Sequence, residues 1–99
     1  MITRVTTYPL VRAYEPSLFG IAKPEVERVA RALAAKLHAT TIERTVTVAG
    51  ERALQFDLAH GGSVEQLTFV LRGKKEYELY CSRAAAAPCK RLLATFTPR

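Results

Sequence analysis

The spacing of apolar residues changes along the chain and divides it into elements. Residues 2–12 mix β-branched, aromatic and threonine side chains and predict a strand. Residues 13–23 contain Pro16 and Gly20 and predict a connecting loop. From Pro24 the spacing becomes helical and predicts an amphipathic helix, whose apolar positions are Val26, Val29, Ala30, Leu33 and Leu37.

After Thr40 apolar and polar residues alternate, which is the period of a β-strand. Four strands are predicted, over residues 41–49, 52–60, 64–72 and 75–81, with short glycine-containing turns between them. Gly73 and Lys74 are assigned to the last of these turns. Pro88 is expected to open a final helix, whose apolar stripe consists of Cys89, Leu92, Leu93 and Phe96.

The order of elements is therefore strand, helix, four strands, helix (βαββββα). This order predicts one α+β domain over residues 1–99, with an antiparallel sheet of about five strands and both helices packed on one face. A hydrophobic fraction of 48% and a charged fraction of 24% are typical of a globular chain. No apolar run reaches the ~18 residues of a membrane-spanning helix, so no membrane span is expected.

The chain is basic: 15 Lys and Arg stand against 9 Asp and Glu, for a net charge of +6. This excess raises the possibility of an anionic partner, and the basic partner surface is predicted at Arg72, Lys74, Lys75, Lys90 and Arg91. The uncovered sheet face is expected to lean acidic, with one aromatic residue, which disfavours nucleic-acid binding on the sheet. Its predicted members are Glu43, Thr45, Thr47, Gln55, Asp57, Gln66, Thr68, Glu76, Glu78 and Tyr80.

Cys81 and Cys89 are the only two cysteines. Strand parity places Cys81 with Tyr77 and Leu79, and helical spacing places Cys89 on the apolar stripe of the last helix, so both thiols should point into the space between sheet and helix. A disulfide is the leading interpretation. Two buried free cysteines remain the main alternative. A zinc site lacks enough ligands at suitable spacing, and a catalytic redox pair usually needs a shorter spacing and an exposed thiolate.

Asp57, His60 and Ser63 suggest a catalytic triad, but parity argues against it. Asp57 and His60 are three residues apart in a strand and should point to opposite faces, which leaves the histidine without its carboxylate. The chain carries no glycine-rich phosphate loop and no recognisable metal cluster. The sequence therefore predicts a non-catalytic domain without a cofactor.

Three segments carry a resemblance to a known family: GERALQFDLAH, VEQLTFVLRGKKEYELYC and PCKRLLATF. They resemble the C-terminal half of PsbP-like domains, named for an extrinsic subunit of the oxygen-evolving complex, and Ran-binding import factors share that fold. The segments are most similar to exported or lipid-anchored bacterial domains of unknown function, in which cysteines recur at the positions of Cys81 and Cys89. The similarity covers residues 20–97.

The resemblance implies an accessory or interaction domain of an exported bacterial protein, located outside the cytoplasm or secreted. PsbP-like domains usually begin with a further hairpin, which this chain lacks. A sheet edge near residues 2–12 would then be open, and a homodimer formed through it is a hypothesis. The alternative function is a cytoplasmic basic domain that binds nucleic acid or an acidic protein.

Overall fold

The computed structural model describes residues 3–98. Its strands are β1 (Thr3–Tyr14), β2 (Thr40–Val48), β3 (Glu51–His60) and β4 (Ser63–Cys81), and its helices are α1 (Phe19–Leu37) and α2 (Ala87–Thr95). One turn of 3-10 helix, Pro16–Leu18, precedes α1. The described strands form one antiparallel sheet in the order β1-β4-β3-β2, so the predicted α+β class is confirmed.

The described sheet has four strands because β4 continues where a turn was predicted. Its first half pairs with β3, up to Phe69, and its second half pairs with β1, from Gly73 to Cys81. Gly73 has a φ of 58°, a value that a glycine adopts at little cost. The chain uses this conformation for an irregularity within one long strand rather than for a reversal, so the prediction of a turn at Gly73 and Lys74 is wrong.

The irregularity at Gly73 changes which residues of β4 share a face. Leu71 and Glu76 are five positions apart, yet both line a groove beside α1. In a regular strand an odd separation places two side chains on opposite faces, so β4 contains one extra residue between them. As a result, Leu67 and Phe69 lie on the opposite face from Tyr77 and Leu79.

The two helices cover opposite faces of the sheet, which corrects the prediction that they share one face. α1 packs on a cluster that includes Leu54 and Phe69, whereas the apolar residues of α2 pack on a second cluster that includes Ala53 and Val70. Ala53 and Leu54 are sequence neighbours in β3, and Phe69 and Val70 are sequence neighbours in β4. Neighbouring side chains in a strand point to opposite sides of the sheet. The prediction failed because regular alternation, without an extra residue in β4, would place Leu67, Phe69, Tyr77 and Leu79 on one face.

α1 begins five residues before the predicted start at Pro24, which lies inside the helix. Phe19 at the first helical position packs against the core cluster under α1, and the Arg52 guanidinium lies over its ring, 4.0 Å from the centroid. These contacts stabilise a helical turn that the local sequence, with its prolines and glycine, does not favour.

The polar sheet face expected from parity is also divided. Gln55, Gln66 and Thr68 are buried on the face that α2 covers, whereas Glu43 and Tyr80 lie on the α1 face. Within residues 3–98 no buried side-chain nitrogen or oxygen lacks a hydrogen-bond partner. In the same part of the chain, neither helix has both the length and the apolar character needed to cross a bilayer.

Candidate functional site

A disulfide fixes α2 to the end of β4. Cys81 is the last residue of β4 and Cys89 lies in the first turn of α2; both are buried, and their Cα atoms are 5.6 Å apart. The prediction that both cysteines point inward and lie within bonding distance is confirmed. At the other end of α2, the ring of Phe96 packs edge-on against Tyr77, with 5.2 Å between centroids. α2 is therefore held to the sheet at both ends.

β1 is an edge strand whose outer side pairs with no strand among residues 3–98. Its pairing with β4 is regular from Thr3 to Pro9 and then breaks, because the next pair joins Tyr14 to Gly73. Residues 10–13 thus bulge out of the ladder, and Val11 is 100% exposed. This segment offers unpaired backbone and an exposed apolar side chain at one edge of the sheet.

A groove lies between this bulge and the first turns of α1, with a volume of about 530 Å³. Most of its walls are apolar, and they come from the end of β1, the 3-10 turn, the start of α1 and β4. The apolar side chains include Leu10, Val11, Tyr14, Leu18, Ile21 and Leu71. Among the described residues that line it, Glu25 and Glu76 are the carboxylates and Arg12 is the cation. The size falls in the range of small-ligand and side-chain pockets, ~300–1,000 Å³.

The two carboxylates in the groove differ in their surroundings. Glu25 is exposed and forms an ion pair and hydrogen bonds with Arg28, which lower its pKa. Glu76 is half-buried, and its pKa is raised by burial and by the carboxylates of Glu78 and Glu25. No ion pair joins Glu76 to a cation within residues 3–98. The groove therefore contains one partly desolvated carboxylate that has no ion-pair partner among the described residues.

The predicted basic surface is divided into two parts. Arg72, Lys74 and Lys75 line an open recess of about 560 Å³ beside Thr7 and Pro9, together with Gly73 and Pro98. Lys90 and Arg91 are exposed on α2, and they are absent from the lining of that recess. Arg72, Lys74 and Lys75 therefore form a compact basic recess around Gly73.

A part-buried polar network crosses three strands on the α2 face. Arg44 donates hydrogen bonds to Oε1 of Gln55 at 2.8 Å and to Oδ2 of Asp57 at 2.6 Å. Gln66 donates to Oδ1 of Asp57 at 3.0 Å, and Gln55 donates to Oγ1 of Thr68 at 3.1 Å. Burial alone would raise the pKa of Asp57, but the hydrogen bonds from Arg44 and Gln66 outweigh it and lower that pKa.

His60 has a carboxylate partner that sequence reasoning missed. Asp57 and His60 lie on opposite faces, as predicted, but the Nε2 atom of His60 contacts Glu65, which also accepts a hydrogen bond from the hydroxyl of Tyr80. Burial of Glu65 raises its pKa, and these two hydrogen bonds more than reverse that effect. Burial and the contact with Glu65 raise the pKa of Tyr80 to about 12.

The signal for this contact was the length of the turn. Gly61 and Gly62 form a two-residue turn that pairs His60 with Ser63. That register places Glu65 two residues from Ser63 on the same face as His60, within reach of its ring.

Within residues 3–98 no three His, Cys, Asp or Glu side chains are grouped so that they could hold a metal ion. In comparisons with known proteins, no family model, curated protein or solved structure matches this chain. The features that can be assigned to a site are therefore those of the chain itself: the open β1 edge, the groove beside it, and the basic recess around Gly73.

Proposed function

We propose that this chain is a non-catalytic interaction domain of an exported bacterial protein, and that it binds a segment of a partner protein at the open edge of β1. The observation that carries the proposal is the break in β1 after Pro9, which leaves residues 10–13 outside the ladder with Val11 fully exposed. Open strand edges are a common binding site for extended protein segments, because the peptide completes the backbone hydrogen bonds.

The disulfide supports the proposed location outside the cytoplasm, because such bonds persist in oxidising compartments and are rare where thiols are kept reduced. It also supports the proposed relationship to PsbP-like domains, since that resemblance includes a cysteine at the end of the last strand and another at the start of the last helix.

The proposal is tested by titrating the isotope-labelled protein with a neutral, capped peptide, Thr-Leu-Thr-Gln-Thr-Leu-Thr, and following the backbone amides by NMR. We expect shifts concentrated in residues 3–14. Val11→Gln should weaken binding about threefold. Ile42→Gln is the matched control, because Ile42 is 59% exposed on the opposite edge strand. Absence of shifts in β1, or an equal effect of the two variants, would refute binding at this edge.

A second copy of the chain is the alternative occupant of the edge and would give a homodimer. β1 carries Arg4 and Arg12 and no acidic residue, so pairing two β1 strands would bring like charges together. This favours a different protein as the partner. Sedimentation velocity at increasing concentration distinguishes the two cases: a dimer that Val11→Gln weakens would assign the edge to self-association.

The basic recess favours a second candidate function, binding of an acidic protein or a nucleic acid. Arg72, Lys74 and Lys75 line one concave surface. If this function holds, replacing all three with Gln should lower the salt concentration that elutes the protein from a heparin column more than replacing Lys90 and Arg91 does. Equal shifts per charge removed would instead indicate a diffuse effect of net charge.

A further inference from the structure

We propose that the groove between residues 10–14 and α1 binds a Lys or Arg side chain of the partner segment, with the cation at Glu76 and its aliphatic stem along the apolar walls. This inference rests on the proposed function and specifies what the segment must contain. Its basis is the combination, in one concavity, of apolar walls with a partly buried carboxylate that forms no ion pair with a cation of residues 3–98.

The walls of the groove match the stem of such a side chain. Leu10 and Leu71 come from β1 and β4, and Leu18 comes from the 3-10 turn before α1. Ile21 lies in the first turn of α1 and is 75% exposed. An exposed apolar residue at the mouth of a groove gains from being covered by the methylene groups of a long side chain. Lys and Arg combine such a stem with a terminal charge, whereas a purely apolar side chain would leave Glu76 covered and uncompensated.

The surroundings of Glu76 favour a cation beside its carboxylate in the groove. The charges of Glu78 on β4 and of Glu25 on α1 both act on it, and Arg28 already pairs with Glu25. Tyr8 on β1 interacts with both Glu76 and Glu78. Arg12 lies in the lining but forms no ion pair with Glu76. An incoming ammonium or guanidinium would relieve the repulsion between the carboxylates and the cost of burying Glu76.

The groove adjoins the open edge, so one segment can use both. Residues 10–13 form a wall of the groove and are also the part of β1 that leaves the ladder. A segment that follows this part of the edge carries alternate side chains toward the α1 face. A Lys or Arg flanked at the second position on each side by apolar residues therefore matches the surface.

The test compares three capped peptides that differ at one position: Thr-Leu-Thr-Lys-Thr-Leu-Thr and its Gln and Glu counterparts. On the wild-type protein we expect the Lys peptide to bind on the order of tenfold more tightly than the Gln peptide, and the Glu peptide to bind most weakly. In Glu76→Gln the preference for Lys over Gln should fall to about one. Glu51→Gln is the matched control, because it removes one negative charge at a position outside the groove lining.

Ile21→Gln provides a second variant that does not depend on Glu76. Because Ile21 is largely exposed, the substitution should leave the fold intact and weaken the Lys and Gln peptides alike. A Lys preference that persists in Glu76→Gln, or Lys-peptide shifts that map away from the groove, would overturn the inference. If the Gln peptide still shifts the β1 amides while no Lys preference is seen, edge binding survives and the cation site is refuted. If no peptide shifts β1, both proposals fail.

Discussion

Asp57 stays ionised in a part-buried position because Arg44 and Gln66 both donate hydrogen bonds to its carboxylate. These bonds lower the pKa of Asp57 in the folded protein below the ordinary value of ~3.9. The resulting stabilisation is fully present above that ordinary value. It is lost as the pH falls through the lower pKa of the folded state. Below that pKa the carboxylate is protonated in both the folded and the unfolded protein, so its ionisation no longer favours folding.

Arg44→Met should lower the free energy of unfolding by about 1–2 kcal/mol at pH 7, since it removes two hydrogen bonds and leaves Asp57 without its cation. The difference from wild type should shrink at pH values below the folded-state pKa of Asp57. Urea denaturation at several pH values measures both effects. Arg31→Met is the control, because Arg31 is largely exposed and its ion pair with Glu27 is weak. A loss that is the same at every pH would contradict this account.

At the residue scale, the sequence predicted the positions of the cysteines but not the partners of the polar residues. Cys81 and Cys89 each follow from the period of their own element. The contact between His60 and Glu65 depends on the register across a hairpin, and the half-burial of Glu76 depends on how α1 lies over β4. Register and helix placement are set by long-range packing, which the local period does not contain.

The elements show why an irregularity is harder to predict than a period. Gly73 is as suitable for a turn as for a bulge, because both need a positive φ. The choice depends on what pairs with the flanking residues. Here β1, at the other end of the chain, pairs with the second half of β4 and keeps the strand extended. A local reading of a Gly-Lys pair between two alternating segments cannot include that pairing.

Gly73→Ala should lower the free energy of unfolding by about 1 kcal/mol, because a φ of 58° is strained for a residue with a Cβ, although no neighbouring atom would meet that Cβ. Gly20 is the matched control. It lies in the first turn of α1, also with open space beside it, but without a positive φ. Gly20→Ala should therefore raise stability by about 0.5–1 kcal/mol. Thermal unfolding of both variants measures the contrast, and effects of equal sign would contradict it.

The disulfide should contribute roughly 2.5 kcal/mol, because it closes a short loop in the unfolded chain. α2 has nine residues, too few for a stable isolated helix, so reduction should loosen its docking as well. Comparison of the oxidised protein with the reduced protein by urea denaturation measures the contribution. A Cys81→Ala/Cys89→Ala variant controls for other effects of the reductant. Because this variant has no disulfide, adding the reductant should leave its free energy of unfolding unchanged. A reductant effect on this variant equal to that on the wild type would argue against the bond as the cause.

At the scale of the molecule, residues 3–98 form two apolar clusters on opposite faces of one sheet. α1 covers one cluster, over β3 and the first half of β4, and α2 covers the other, which includes the second half of β4. The pattern of the sequence predicted both helices and the α+β class. It did not predict the layer arrangement, because assigning a helix to a face requires the parity of every residue along β4, and one extra residue changes that parity.

Amide exchange should reveal the uneven protection that this arrangement implies. β3 lies between two strands and is largely buried, whereas β1 pairs on one side only and is mostly exposed. We expect amides of residues 54–58 to exchange on the order of 100-fold more slowly than those of residues 3–13, measured by NMR in deuterated buffer. Comparable protection of β1 would show that its edge is already covered in the free protein.

The extra residue in β4 has a consequence for the loss of single residues from the chain. Deleting one residue from a strand normally exchanges the two faces of everything beyond it. Deletion of Gly73 should instead leave a regularly alternating strand in which Tyr77 and Cys81 keep their present sides, so Cys81 can still reach Cys89. Deletion of Glu78 should turn Cys81 away from α2. Thiol titration distinguishes these outcomes. The Gly73 deletion should leave no free thiol, whereas the Glu78 deletion should leave two.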